Sequence, residues 1–77
     1  PDPSTHVGTP VSAEALLERG LAFHRLGDFA QAVSAYVQLL ELSPSHADAL
    51  HLIGEALYRQ GHLDESLSYL NRAIALS

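Results

Sequence analysis

The chain repeats itself. Residue types laid down between Ala13 and His46 recur from Ala47 onward. Gly20 returns as Gly54, Gly27 as Gly61, Ala22 as Ala56, Leu16 as Leu50, Tyr36 as Leu70 and Leu42 as Leu76, each pair 34 positions apart by subtraction. A fixed period of this length marks a stacked array, in which each unit is a supersecondary element that cannot bury its apolar face alone. Function is therefore expected on a surface shared by the units rather than in a catalytic cleft.

Composition narrows the architecture. Apolar residues make up 47% of the chain but aromatics only 6%, and alanine and leucine dominate, as in packed helices. The expected fold class is all-α: two antiparallel helix-turn-helix hairpins, four helices in all, stacked as an α-solenoid behind a disordered N-terminal tail. A chain of 77 residues buries only about 60% of its unfolded surface, which makes its stability modest. No cysteine is present to add a disulfide, and that fits a reducing, cytoplasmic setting. The formal charge of −5 comes from nine carboxylates against four arginines, with no lysine. No basic stripe exists to follow a phosphate backbone, so nucleic acid is not an expected partner. No apolar run is long enough to span a membrane. The sequence holds no methionine and begins at Pro1, which reads as an excised piece of a longer protein. Arginine without lysine points to a GC-rich bacterial genome.

Residues 1–11 carry three prolines and no periodic apolar face, and read as a disordered tail or linker. The first unit is expected over 12–46. Ser12 is placed to cap a helix starting near Ala13, Glu14 suits its positive end, and Val11 can staple against Leu16. Leu16, Gly20 and Phe23 then fall on one face, and Gly27 stands where a left-handed residue ends the helix. Asp28 with Gln31 forms a capping box for a second helix, which carries Phe29, Ala32, Val33, Tyr36, Leu39 and Leu40 on one side and stops ahead of Pro44. The second unit, 47–77, follows the same plan. Ser45 or His46 caps it, Leu50, Ile53, Gly54 and Leu57 form its inner stripe, and Gly61 breaks it. Its last helix runs from about Leu63 with Leu67, Leu70, Ala73 and Ile74 on one face. His62 replaces Asp28 there and is the weaker cap.

Gly20 and Gly54 sit mid-helix among good helix formers, where glycine costs about 1 kcal/mol relative to alanine. Close approach of the partner helix explains them, with Ala32 and Ser66 meeting the same need from the other side.

These residues together resemble the tetratricopeptide repeat: the glycine in the first helix, the large residue three positions on, the Gly27 and Asp28 turn, Ala32, Tyr36, and the Leu42 to Pro44 exit. The resemblance covers Ala13 to Ser77, with departures. Arg19 occupies a place that is apolar in the second unit, Ile53, and reads either as the polar outer face of a capping unit or as a contact residue. The second unit also stops one residue before its expected proline.

Chemistry is hard to assemble from what remains. His6, His24, His46, His51 and His62 show no i, i+4 pair and no thiolate joins them, so they read as solvated side chains rather than zinc ligands. Serines lie at caps, turns and surfaces, and no nucleophile elbow or glycine-rich phosphate loop is present. Glu55 and Arg59 read as an ordinary i, i+4 ion pair. The chain itself is thus expected to be no enzyme and to carry no cofactor.

The resemblance implies a concave groove, lined by the first helices, that holds peptides. It would carry Leu17, Leu21, His24 and Arg25 from the first unit and His51, Leu52, Glu55, Tyr58 and Arg59 from the second. Glu14, Glu18 and Asp48 make its beginning acidic, the leucines its middle apolar and the arginines its far end basic. Lysine and asparagine are missing from the places used by repeats that clamp chaperone C-termini, and no asparagine ladder is present. Three functions are consistent with this surface. The first is a protein-interaction module holding a peptide or partner helix. The second is a regulatory or substrate-recruiting arm of a larger bacterial enzyme of the glycosyltransferase, methyltransferase or sulfotransferase type. The third is self-association through Leu70, Ala73 and Ile74 on the uncapped C-terminal face.

Overall fold

The computed structural model describes residues 12–76. The expected tail over 1–11, and with it the Val11 staple, lies outside the described residues. Four helices follow one another: α1, Ala13–Arg25; α2, Phe29–Leu42; α3, Ala47–Arg59; and α4, Leu63–Ala75. No strand occurs among the described residues. Each helix packs on the next, α1 on α2, α2 on α3 and α3 on α4, which is the contact pattern of an all-α stacked repeat.

The helix ends follow from local chemistry. Ser12 Oγ accepts the Ala15 N–H at 3.0 Å, and Asp28 Oδ1 accepts the Gln31 N–H at 3.3 Å. At the start of α3 it is His46, not Ser45, that caps: its ring Nδ1 accepts the Ala49 N–H at 3.1 Å. His62 makes no side-chain cap bond, leaving Asp64 and Glu65 in the first turn of α4 to meet the helix dipole. Both hairpin turns are Schellman motifs. Asp28 N–H reaches Phe23 O at 2.9 Å and Gly27 N–H reaches His24 O at 3.0 Å, and His62 and Gly61 do the same with Leu57 and Tyr58. Gly27 and Gly61 adopt φ of +79° and +86°, which a side chain would oppose.

The two mid-helix glycines sit where helices meet. A Cβ on Gly20 would lie 2.6 Å from Tyr36 Cδ1, and one on Gly54 would lie 2.6 Å from Leu70 Cγ and 3.2 Å from the Ser66 carbonyl. Opposite them Ala32 and Ser66 are buried. Ser66 Oγ donates to the Gly54 carbonyl at 2.7 Å, a buried bond that the first unit, with Ala32, does without. Ser66→Ala therefore restores the first unit's packing but removes one hydrogen bond, and should lower stability by about 1 kcal/mol in urea denaturation.

Between the hairpins the core is continuous. Ala32 and Tyr36 of α2 cluster with Ile53 and Leu57 of α3, and Leu16, Leu39 and Ala49 form a second cluster. Beyond this junction burial thins out. On α4, Leu67 and Ile74 are 58% and 69% exposed, since among the described residues α4 packs closely only on α3.

Candidate functional site

The first helices of the two hairpins, α1 and α3, present the face on which the groove residues were expected. Helical spacing puts Leu17, Leu21 and His24 of α1 and His51, Glu55 and Tyr58 of α3 along it. Their environments differ more than the sequence implied. Leu17 is half-buried and packs against both core clusters, Leu52 packs against the cluster around Ile53 and Tyr36, and Leu21 is half-buried as well. Much of the expected apolar centre is thus spent on holding the hairpins together. The open part of the face is polar and aromatic. Arg25, His51 and Arg59 are exposed, and Tyr58 is 63% exposed.

His24 departs furthest from expectation. It was read as solvated, yet its side chain is only 14% exposed, and it sits at the centre of a cluster that spans three helices. Its Nδ1 lies 3.1 Å from the Tyr36 hydroxyl on α2, and its Nε2 lies 3.6 Å from Glu55 Oε1 on α3. The tautomer carrying its proton on Nε2 satisfies both contacts, accepting from the tyrosine and donating toward the carboxylate. Phe29 packs edge-on against the imidazole at 5.3 Å between ring centroids. The Arg59 guanidinium lies 5.6 Å above the Phe29 ring. Glu55 therefore engages His24 across the junction rather than forming the expected pair with Arg59, because the inter-helix partner is closer to its carboxylate than the next turn of its own helix offers.

Burial pushes the Tyr36 hydroxyl up to about 12, with the Glu55 carboxylate adding to the rise and the Arg25 charge opposing it. The residue stays a neutral donor across the physiological range.

Tyr36 and Phe29 were read from the sequence only as packing residues, and their part in this cluster was missed. A signal existed. Ser66 bonds Gly54 from 12 positions along the chain, and the same spacing joins Tyr36 to His24. Counted from that crossing, His24 and Tyr36 each lie four places on, after Gly20 and Ala32, and so one turn along the same faces.

Two shallow hollows flank the junction. One, of about 460 Å³, lies between α3 and α4 and is lined by Ala47, Asp48, His51, Leu70, Ala73 and Ile74. It brings His51 of the expected groove together with the three residues singled out for self-association. The other, of about 240 Å³, lies on the outer side of the first hairpin beside Arg19, Phe23 and Ser34. Arg19 is exposed there, in the place that Ile53 fills wholly buried in the second unit.

Comparison with curated proteins gives no match. The family model described as Tetratricopeptide repeat matches residues 4–36 and 17–77. With matched segments over most of its length, and with the helix hairpins, turns and crossing residues in place, the chain belongs to the tetratricopeptide repeat family.

Proposed function

We propose that this chain binds a segment of a partner protein on the face formed by α1 and α3. Repeats of its family generally mediate protein–protein interaction, and no helix among the described residues is long and apolar enough to cross a membrane. The observation that carries the reading is Tyr58. It is a large aromatic side chain, 63% exposed, held on a well-capped helix next to Arg59 and one turn from Glu55. Tyrosine and arginine on a rigid scaffold supply contact area and directed hydrogen bonds at small entropic cost, which is what a recognition surface needs. With Leu17 and Leu52 partly used in the core, the ligand is met mainly by Arg25, His51, Tyr58 and Arg59, with Leu21 and His24 at the floor. The absence of cysteine fits a cytoplasmic protein.

Selection of a displayed random-peptide library on the chain tests this. Enriched peptides should lose at least about tenfold in affinity on His51→Ala with Tyr58→Ala, a loss of about 1.4 kcal/mol, while the circular dichroism melt stays put. Both residues are exposed, so the pair separates binding from folding, which Leu17→Glu or Leu52→Glu would not. Peptides that bind the double variant as tightly as the parent would move the site elsewhere.

Self-association through the C-terminal face is a second, independent reading, favoured by the exposure of Ile74 beside the half-buried Leu70.

A further inference from the structure

Cations are scarce in this chain, which has four arginines and no lysine, yet two of them stand at the same place in the repeat. Arg25 and Arg59 are 34 positions apart by subtraction, and each is the last residue of its helix, α1 or α3. Each also lies nine positions, about two and a half turns, after the buried leucine that opens the inner stripe of its helix, Leu16 or Leu50. The two arginines therefore project away from the partner helices α2 and α4, onto the face that α1 and α3 share. Both walls of that face belong to the described residues.

Charge on it is sorted by position. Glu14 and Asp48 stand in the first turns of α1 and α3, and Arg25 and Arg59 in the last. An anionic group is repelled at one end and met at the other by two guanidinium groups. Neither guanidinium is matched from within: among the described residues no carboxylate lies within ion-pair distance of either. Asp28, three residues after Arg25, is engaged in capping α2, and Glu55, one turn before Arg59, faces His24. Arg59 is also held in place. Its guanidinium lies 5.6 Å over the ring of Phe29, the first residue of α2, which draws it back across the junction toward the end of α1. A guanidinium stacked on a ring keeps its N–H edges free to fork onto a carboxylate.

The step from one arginine to the other sets a spacing. Helices whose side chains meet, as His24 and Glu55 do, lie about 8–10 Å apart. An extended segment advances about 3.3 Å per residue, so it crosses from α1 to α3 in about three residues, with the long arginine stems absorbing the remainder. Resting on the reading of the α1 and α3 face as a binding surface, we infer that the segment it holds is acidic: an extended stretch of a partner protein with two carboxylate side chains two or three positions apart, one on Arg25 and one on Arg59.

Selection of a displayed random-peptide library on the 77-residue chain should enrich peptides with two Asp or Glu residues at that spacing. Arg25→Gln with Arg59→Gln should remove the preference, and Arg25→Glu with Arg59→Glu should replace it with Lys and Arg at the same positions. Both arginines are exposed, so both double variants should fold, which circular dichroism melts check. A synthetic copy of an enriched peptide should bind the glutamine variant on the order of tenfold more weakly than the parent, and the difference should shrink as salt is raised. Enriched peptides that lose affinity on His51→Ala with Tyr58→Ala but carry no acidic pair, or that bind the glutamine variant as tightly as the parent, would overturn this inference and leave the face as a binding surface. A library yielding no peptide that depends on either pair of residues would overturn both. A phosphoserine in place of one acid that tightens binding more than about tenfold would reassign the arginines to phosphate.

Discussion

Gly54→Leu unfolds the second hairpin, and Gly20→Leu unfolds the whole chain. The glycines stand where α1 crosses α2 and α3 crosses α4, and what a side chain would strike differs between them. At Gly20 the first atom added would run into the Tyr36 ring, 2.6 Å from Cδ1 and 2.8 Å from Cζ. That ring is wholly buried and tied through its hydroxyl to His24, so it has nowhere to turn. At Gly54 the first atom meets Leu70 at 2.6 Å and the Ser66 carbonyl at 3.2 Å; the leucine is half-buried and can swing, the backbone cannot. The single-atom substitutions should therefore separate. Alanine gains about 1 kcal/mol of helix propensity at either site, against an overpacking penalty of about 1–3 kcal/mol. Gly54→Ala should come out within about 1 kcal/mol of the parent, and Gly20→Ala about 2 kcal/mol below it. Leucine adds three further carbons with no space to hold them, and a chain this short has in total only roughly 0.05–0.15 kcal/mol per residue to lose. Thermal melts followed by circular dichroism measure all four. A Gly20→Leu melt unchanged from the parent would refute close packing as the reason for glycine there.

The features that were legible in the sequence are those with a local cause. Ser12, Asp28, Gly27 and Pro44 announce helix ends through hydrogen bonds and dihedral limits that reach only a few residues, and the helices begin and end where they do. Gly20 and Gly54 announced the crossings because a mid-helix glycine needs a reason. The candidate site was less legible, because its character depends on neighbours brought close by stacking. Leu17 and Leu52 have the spacing of groove residues, and spacing does not say that the adjacent hairpin covers half of each. His24 looks like any surface histidine until α2 and α3 place a hydroxyl and a carboxylate against its two nitrogens. Glu55 and Arg59 look like a helical ion pair until His24 and Phe29 compete for them. The apolar face of α4 was visible as Leu67, Leu70, Ala73 and Ile74, but spacing alone does not say that Leu67 is 58% exposed while Ala73 is buried.

Raising the pH from 10 to 12 should lower the stability of the fold through Tyr36. The hydroxyl has its ordinary value of 10.0 in the unfolded chain and about 12 in the fold, driven first by burial and then by the Glu55 carboxylate, with Arg25 opposing. The folded state holds this proton more tightly than the unfolded state does. Its contribution is therefore complete below pH 10 and is lost as the pH climbs through 12, amounting to about 3 kcal/mol from two units at about 1.4 kcal/mol each. In a small domain that is a large share of the total. Tyr36→Phe distinguishes this cause from general alkaline swelling. Phenylalanine keeps the ring under Gly20 but gives up the bond to His24 Nδ1, so at pH 8 it should be about 1 kcal/mol less stable than the parent. Between pH 10 and 12 its stability should fall far less, and the two curves should cross. Tyr36→Ala removes the ring as well, leaves a cavity between α1, α2 and α3, and should cost about 3–5 kcal/mol at any pH. Urea denaturation at pH 8, 10 and 12 on the three proteins reads out the whole scheme. If the phenylalanine variant lost stability with pH as steeply as the parent, the alkaline transition would belong to other groups, and Tyr36 would be a packing residue whose hydroxyl contributes only its hydrogen bond to His24.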